Sequence, residues 1–151
     1  MVNKKPKNAE ITREEALELF RRTSNSLFDF SGYFLKNHLT SEVPEFHKEI
    51  YSLLPSEPRI CLAAPRGFAK SSICSVFYPL WCALFEKRKD ITIISASEGL
   101  AIEWLRKIKR ELEHNELILR FFGDLKSDKW TENHIILRES RVNMRAGGAQ
   151  G

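Results

Sequence analysis

The segment APRGFAKSS, residues 64–72, combines residue types that bind phosphate in nucleotide-binding proteins. The usual pattern is G-x-x-x-x-G-K-[ST], in which the lysine reaches the β- and γ-phosphates and the hydroxyl holds Mg²⁺. Lys70 and Ser71 match the last two positions, whereas Ala64 and Ala69 replace the two glycines. The pattern therefore predicts a phosphate-binding loop that lacks its two characteristic glycines.

Other residues of the segment also suit an anion. Gly67 allows the backbone to curl around a phosphate, Pro65 stiffens the start of the loop, and Arg66 adds a second cation. A loop between a strand and a helix N-terminus also presents backbone N–H groups and the positive end of the helix dipole. We assign nucleotide binding to Ala64, Pro65, Arg66, Gly67, Phe68, Ala69, Lys70, Ser71 and Ser72.

The two alanines leave a second interpretation open. A Cβ at Ala69 requires a negative φ and room beside the phosphate. A plain turn from strand to helix, with Lys70 in solvent, fits the same residues. Nucleotide binding by the chain distinguishes the two interpretations.

The flanking elements would hold the segment in place. The apolar run 59–64 predicts a short buried strand, and apolar residues at helical spacing predict a helix from Lys70 onward. Pro79 lies inside this helical pattern and removes one backbone donor, which predicts a kink near Ser75. The helical apolar positions are Ile73, Val76, Phe77, Leu80, Trp81 and Leu84.

A second strand and a long helix follow. β-branched residues predict a buried strand at 91–97, and a helix is expected from Ser97 to about His114. Ser95 and Glu98 could form a capping box at its start. The positions expected on its core side are Leu100, Ala101, Trp104, Leu105, Ile108 and Leu112.

Helices are predicted before the segment. Thr12 and Glu15 fit a capping box for a first helix, which ends near Ser24–Ser26. A second helix is expected at 27–39, and Pro44 opens a third that ends at 55–58.

After the long helix, a shorter one is expected to stop at Gly123. The sequence then predicts two strands joined by a tight turn at Glu139–Ser140, with Asp124 and Asp128 in a polar linker. The alternation of strands and helices predicts an α/β fold with a mainly parallel sheet flanked by helices. We divide the chain into an N-terminal arm and helical segment, 1–43, and a partial P-loop ATPase domain, 44–151.

Composition limits the function classes. The chain of 151 residues has 42% hydrophobic residues and a net charge of +4, which permits an anionic partner. The three cysteines, Cys61, Cys74 and Cys82, are expected to be buried free thiols, and no zinc-ligand spacing is visible. We expect no secretion signal and no membrane span.

The order of several segments adds a family resemblance. After APRGFAKSS come ITIISASEGLAIEWLRKIKRELEHNELILRFFGD, KWTENHIIL and RVNMRAGGAQG. Together they resemble the ATPase domain of the large terminase subunit of tailed bacteriophages, the motor that packages DNA into procapsids. The similarity covers roughly residues 44–151. It implies ATP and Mg²⁺ as cofactors, with Lys70 and Ser71 at phosphate and metal and Arg66 near the γ-phosphate.

The resemblance also implies partners and a location. These are double-stranded DNA, the portal protein, the small terminase subunit and further copies in a ring, in the cytoplasm of the infected bacterium. Phe46 and His47 fall where the family has an adenine-side segment, although such a pair on an amphipathic helix is more often plain packing. The family's acidic residues after an apolar strand, its coupling motif and its nuclease domain have no counterpart up to Gly151. We therefore expect nucleotide binding with negligible hydrolysis.

Two alternative functions remain open from the sequence. One is a helicase-like or other ATPase of the same broad fold. The other is a non-catalytic module in which the basic half of the chain binds nucleic acid or a capsid partner. A cluster of basic residues on the long helix could contact DNA, but interleaved glutamates favour a solvated face with local pairs. The cluster comprises Arg106, Lys107, Lys109 and Arg110, and three further arginines, Arg138, Arg141 and Arg145, flank the predicted hairpin turn.

Overall fold

The computed structural model describes residues 11–39, 43–63 and 69–149. In the described residues the chain forms helices followed by an α/β unit. The helices are α1 Arg13–Asn25, α2 Leu27–Phe34, α3 Glu45–Ser56, α4 Lys70–Ser72, α5 Tyr78–Leu84, α6 Glu98–His114 and α7 Glu116–Phe122. The strands are β1 Asp90–Ser95, β2 Lys126–Trp130, β3 His134–Leu137 and β4 Asn143–Gly148.

The N-terminal helices begin where polar caps satisfy their first amides. The predicted capping box of α1 is confirmed: the Glu15 N–H donates to Thr12 Oγ1 at 3.2 Å, and the Thr12 N–H donates to the Glu15 carboxylate at 2.8 Å. Ser26 ends α1 and caps α2. A 3₁₀ turn at Lys36–His38 follows α2, so the second helix is shorter than the predicted 27–39.

The strand predicted at 59–64 is wrong over its described part. Residues 59–63 have no regular structure, and Ile60 and Cys61 are exposed. Ala64 lies outside the described residues. A strand gains its backbone hydrogen bonds from a neighbour, and among the described residues no strand pairs with this segment. An apolar composition predicts burial, but it does not show whether a neighbouring strand is present.

One continuous helical stretch runs from Lys70 to Leu84, and its middle is irregular. A π-helical segment, Ile73–Phe77, separates α4 from α5, and the Tyr78 N–H donates to the Ile73 carbonyl. Pro79 has no N–H and cannot bond to Ser75 as an α-helical residue would. The predicted disturbance near Ser75 is thus present as a widened turn.

The sheet has four strands in the order β1-β4-β3-β2 and is mixed. β1 and β4 pair in parallel, whereas β4 with β3 and β3 with β2 are antiparallel. The prediction of a mainly parallel sheet is therefore wrong, although the α/β class with flanking helices is correct. One reason is β2, which the sequence analysis placed in a polar linker: Asp128 lies within it. Three of the five side chains of this short strand are exposed, so its composition is polar.

Helix α6 packs across the sheet and differs from the prediction at its first turn. Ser97, not Ser95, is the N-cap, and its hydroxyl accepts from the Leu100 N–H at 3.3 Å. Leu100 is 46% exposed, so its predicted place on the core side is wrong. Ala101, Leu105, Ile108 and Leu112 are buried as predicted.

The core joins the N-terminal helices to the sheet. Leu27 and Phe30 of α2 are buried with Leu80 of α5, Leu105 of α6 and Met144 of β4. Aromatic rings connect these elements through edge-on and tilted contacts. The rings of this cluster belong to Phe20, Phe30, Phe34, Phe85, Phe121 and Phe122.

Candidate phosphate-binding site

The structure describes the second half of the predicted loop. Ala64, Pro65, Arg66, Gly67 and Phe68 lie outside the described residues, and Ala69, Lys70, Ser71 and Ser72 lie within them. Ala69 immediately precedes the helical stretch, and the other three residues form α4, its first turn. The lysine and serine of the motif therefore occupy a helix N-terminus, as predicted.

This N-terminus lies at the carboxyl end of strand β1. A groove is lined by helix residues from Cys74 to Cys82 and by strand residues from Asp90 to Ile94, so the helix lies along the strand. The short connection 85–89 joins the two elements, which therefore run in opposite directions. In α/β folds, ligands bind outside the carboxyl ends of parallel strands.

Ala69 has the backbone conformation that favours glycine. Its φ is 51° and its ψ is 8°, in the left-handed region. The sequence analysis expected a negative φ there, and that expectation is wrong. In the aligned motif this position is the glycine before the lysine, so the backbone keeps a glycine-like geometry although the side chain is alanine.

The two motif side chains of the first turn differ in exposure. Ser71 is exposed, and Lys70 is half-buried. Burial raises the pKa of the Cys74 thiol, and the positive charge of Lys70 partly offsets that rise. The charge of Lys70 therefore acts on a side chain one turn further along the helix. The backbone N–H groups of a helix's first turn have no intrahelical acceptor and point outward, which favours a phosphate group.

The neighbouring sheet edge is built from small residues. The Ala149 N–H donates to the Ser95 carbonyl at 2.8 Å. A Cβ at Gly148 would lie 2.8 Å from the Glu98 nitrogen, so β4 and the start of α6 are in close contact. Glu98 is a carboxylate near the carboxyl ends of β1 and β4, and Asn133 Nδ2 donates to it at 3.3 Å.

The basic face of α6 is engaged in local contacts. Arg106 pairs with Glu103 and, at 3.4 Å, with Glu132. The Lys107 ammonium lies 4.1 Å from the centroid of the Trp104 ring, and Lys109 donates to the Thr131 carbonyl at 3.2 Å. Three of the four basic side chains of the cluster thus make the local contacts expected of a solvated helix face.

The remaining candidates are dispersed. Phe46 packs against the core, which supports the packing interpretation of the Phe46–His47 pair. Arg138 donates from Nε to the Lys126 carbonyl at 2.9 Å, which ties it to the neighbouring strand. Arg141 has a φ of 57° in the turn before β4.

The cysteines differ in burial. Cys61 is exposed, Cys74 is half-buried and Cys82 is buried, so the prediction of three buried thiols is wrong for Cys61. Burial raises the pKa values of the Cys74 and Cys82 thiols, which therefore stay protonated at neutral pH and are poor nucleophiles.

In the described part of the chain, no three acidic, histidine or cysteine side chains lie close enough to hold a metal ion. No helix there is long and apolar enough to cross a membrane.

One polar cluster was missed by the sequence analysis. Glu111 is buried in α6, and its carboxylate lies 2.7 Å from His38 Nε2 and accepts from Asn115 Nδ2 at 2.7 Å. Asn115 also donates to the Phe34 carbonyl at 2.8 Å and caps α7. The cap could have been found from Asn115 before an apolar run, but the link to His38 spans 73 positions and has no local signal.

Comparison with known proteins adds no relative. No family model, no curated protein and no solved structure matches the chain. The functional assignment consequently rests on the motif and on the geometry described above.

Proposed function

We propose that residues 64–72 bind the phosphates of ATP, with Mg²⁺, at the carboxyl edge of the sheet. The left-handed backbone of Ala69, directly before Lys70 at a helix N-terminus, is the observation that carries the proposal. Glu86 and Arg141 have a similar φ in turns outside the motif, so the support comes from the position of Ala69, directly before the motif lysine. Strain of this kind persists where the surrounding structure enforces it, and it is frequent at ligand-binding sites.

The chemistry follows from the residue types. Lys70 would neutralise phosphate oxygens, the Ser71 hydroxyl would be a metal ligand, and first-turn amides would donate to phosphate. Arg66 would supply a further cation to the γ-phosphate. Bound Mg²⁺ would screen the charge of the phosphates.

The proposal extends to the role of the nucleotide. The order of the motifs favours an ATPase of the phage terminase type, which would act on double-stranded DNA with a portal protein, a small terminase subunit and further copies in a ring. Such a protein would act in the cytoplasm of the infected bacterium. In this chain we expect slow hydrolysis, because Glu98, the carboxylate described near the carboxyl ends of β1 and β4, is hydrogen-bonded to Asn133.

Calorimetric titration of ATP·Mg²⁺ tests the proposal. We expect Lys70→Ala to weaken binding at least tenfold, which corresponds to about 1.4 kcal/mol. Lys129→Ala is the matched control, because it removes the same charge from β2, at the opposite edge of the sheet from β1. Equal affinity in all three proteins, or no binding by a wild-type chain with a cooperative unfolding transition, contradicts the proposal.

Two further experimental outcomes would bear on the function of the chain. ATP turnover that disappears in Lys70→Ala contradicts the expectation of slow hydrolysis while supporting the site. Salt-dependent DNA binding without any nucleotide affinity favours the interaction module instead.

A further inference from the structure

Helix α1 leaves most of its surface uncovered. It has 13 residues and packs against α2, and of these residues only Thr23 is buried. A helix of this length is marginally stable by itself and depends on the packing of an apolar face. α1 therefore has a free surface on which a further element could pack.

Two apolar side chains of α1 are exposed at helical spacing. Leu17 is 62% exposed and Phe20 is 44% exposed. Residues three apart lie on the same face of a helix, so the two side chains form one stripe. Part of the Phe20 ring contacts Phe85 and Phe122, with ring centroids 5.2 Å and 6.1 Å away, and the exposed part extends the stripe. An exposed apolar surface with a charged rim is typical of an interaction site.

The charges of the rim are unevenly distributed along α1. Apart from Arg13 at the first position, the first half is acidic, with Glu14 and Glu18, and the second half is basic, with Arg21. Within the described residues, neither the Glu14 carboxylate nor the Arg21 guanidinium forms a salt bridge. Both side chains flank Leu17, at three positions before it and four after it, so they border the apolar stripe.

We propose that α1 pairs with α1 of a second copy of the chain, in antiparallel orientation about a two-fold axis. In this arrangement Leu17 of each helix lies against Phe20 of the other, which forms two apolar contacts. Glu14 of each helix lies beside Arg21 of the other, which forms two ion pairs. A two-fold pair closes on itself, so the inference depends neither on nucleotide binding nor on a ring.

The order of the charges selects the antiparallel orientation. In a parallel pair each residue lies level with its own counterpart. Glu14 of one helix and Arg21 of the other would then be about 10 Å apart along the helix axis, which is too far for an ion pair. Reversal of one helix brings the acidic half of each helix against the basic half of the other. The ion pairs therefore form in the antiparallel orientation.

The contact is small. Each helix contributes two apolar side chains and the two charged side chains beside them. Interfaces at the low end of the size range are transient. We therefore expect a pair whose population rises with concentration, with a Kd on the order of 0.1 mM.

Exchange of the two charges tests the arrangement, with sedimentation equilibrium at concentrations up to about 1 mM as the assay. Arg21→Glu places two carboxylates beside each other at both ends of the contact and should raise the Kd at least tenfold. Glu14→Arg should do the same with two guanidinium groups. The double variant Glu14→Arg, Arg21→Glu restores both ion pairs and should recover most of the wild-type affinity. Lys129→Glu is the matched control, because it makes the same change of charge in β2, outside α1.

Leu17→Ala tests the apolar contact. Because Leu17 is exposed in the single chain, the substitution should leave the fold intact while it raises the Kd at least tenfold. Ile94→Ala is the control, since Ile94 is 66% exposed on β1 and should not affect association. Circular dichroism of each variant shows whether its helices are retained, which separates loss of association from unfolding.

Several results would overturn the proposal. A chain that stays monomeric up to about 1 mM forms no such pair. Equal Kd values for the wild type and all variants would place the contact on another surface. A double charge variant that associates no better than the single variants would exclude the antiparallel orientation, and species larger than a dimer would exclude the two-fold pair.

Discussion

The conformation of Ala69 makes a substitution to glycine stabilising. At its φ of 51° the Cβ lies close to the backbone, and a left-handed conformation costs a residue other than glycine about 1–2 kcal/mol. Ala69→Gly removes this strain. Most alanine-to-glycine substitutions act in the opposite direction, so the sign of the effect is informative.

The net magnitude follows from two opposing terms. Glycine also enlarges the conformational freedom of the unfolded chain, which costs about 0.4–1 kcal/mol. We therefore expect Ala69→Gly to raise the free energy of unfolding by about 0.5–1 kcal/mol. For a domain of this size, that corresponds to a rise in Tm of about 1–4 °C.

Thermal unfolding followed by circular dichroism measures this shift. Ala16→Gly is the matched control: the chemical change is the same, but Ala16 lies in helix α1, where glycine costs about 1 kcal/mol and should lower Tm. If both substitutions lower Tm equally, the backbone at Ala69 is not left-handed, and the observation that supports the phosphate site is lost.

Two further substitutions test contacts that position the site and its neighbours. Gly148→Ala would bring a Cβ to 2.8 Å from the Glu98 nitrogen, and urea denaturation should show a free energy of unfolding lower by about 1–3 kcal/mol. Gly147→Ala is the control, because a Cβ there meets open space and should leave stability nearly unchanged. Equal effects of the two substitutions would contradict the close contact of β4 with α6. Asn115→Ala removes the α7 cap and the donors to Phe34 and Glu111, and should cost about 2 kcal/mol in the same assay. Asn115→Asp keeps a capping oxygen but lacks those donors and adds a charge beside Glu111, so wild-type stability in that variant would show that the cap alone matters.

Local signals explain most of what the sequence could predict. The α1 capping box, the Ser26 break and the end of α7 at Gly123 each depend on residues within one helical turn. Hydrophobic period identified the buried face of α6, although Leu100 in the first turn is exposed and Trp104 is half-buried. Such features can be predicted without knowing which distant residues they contact.

Features that depend on distant partners were missed or wrong. Strand β2 is polar because most of its side chains face solvent, and its place in the sheet comes from pairing with β3. The sheet is mixed because β4 pairs in parallel with β1 but antiparallel with β3. Burial of the Glu111 carboxylate costs little free energy because His38 and Asn115 lie within hydrogen-bond distance of it. The sequence alone does not identify either residue as its partner.

The segment 59–63 combines both situations. Its alternation is a local signal and predicts a strand, yet in the described structure the hydrogen bonds of a strand are not formed. A strand obtains those bonds from a neighbouring strand, and among the described residues no strand pairs with this segment. Alternation therefore predicts which side chains would share a face, but it does not predict whether a neighbouring strand is present.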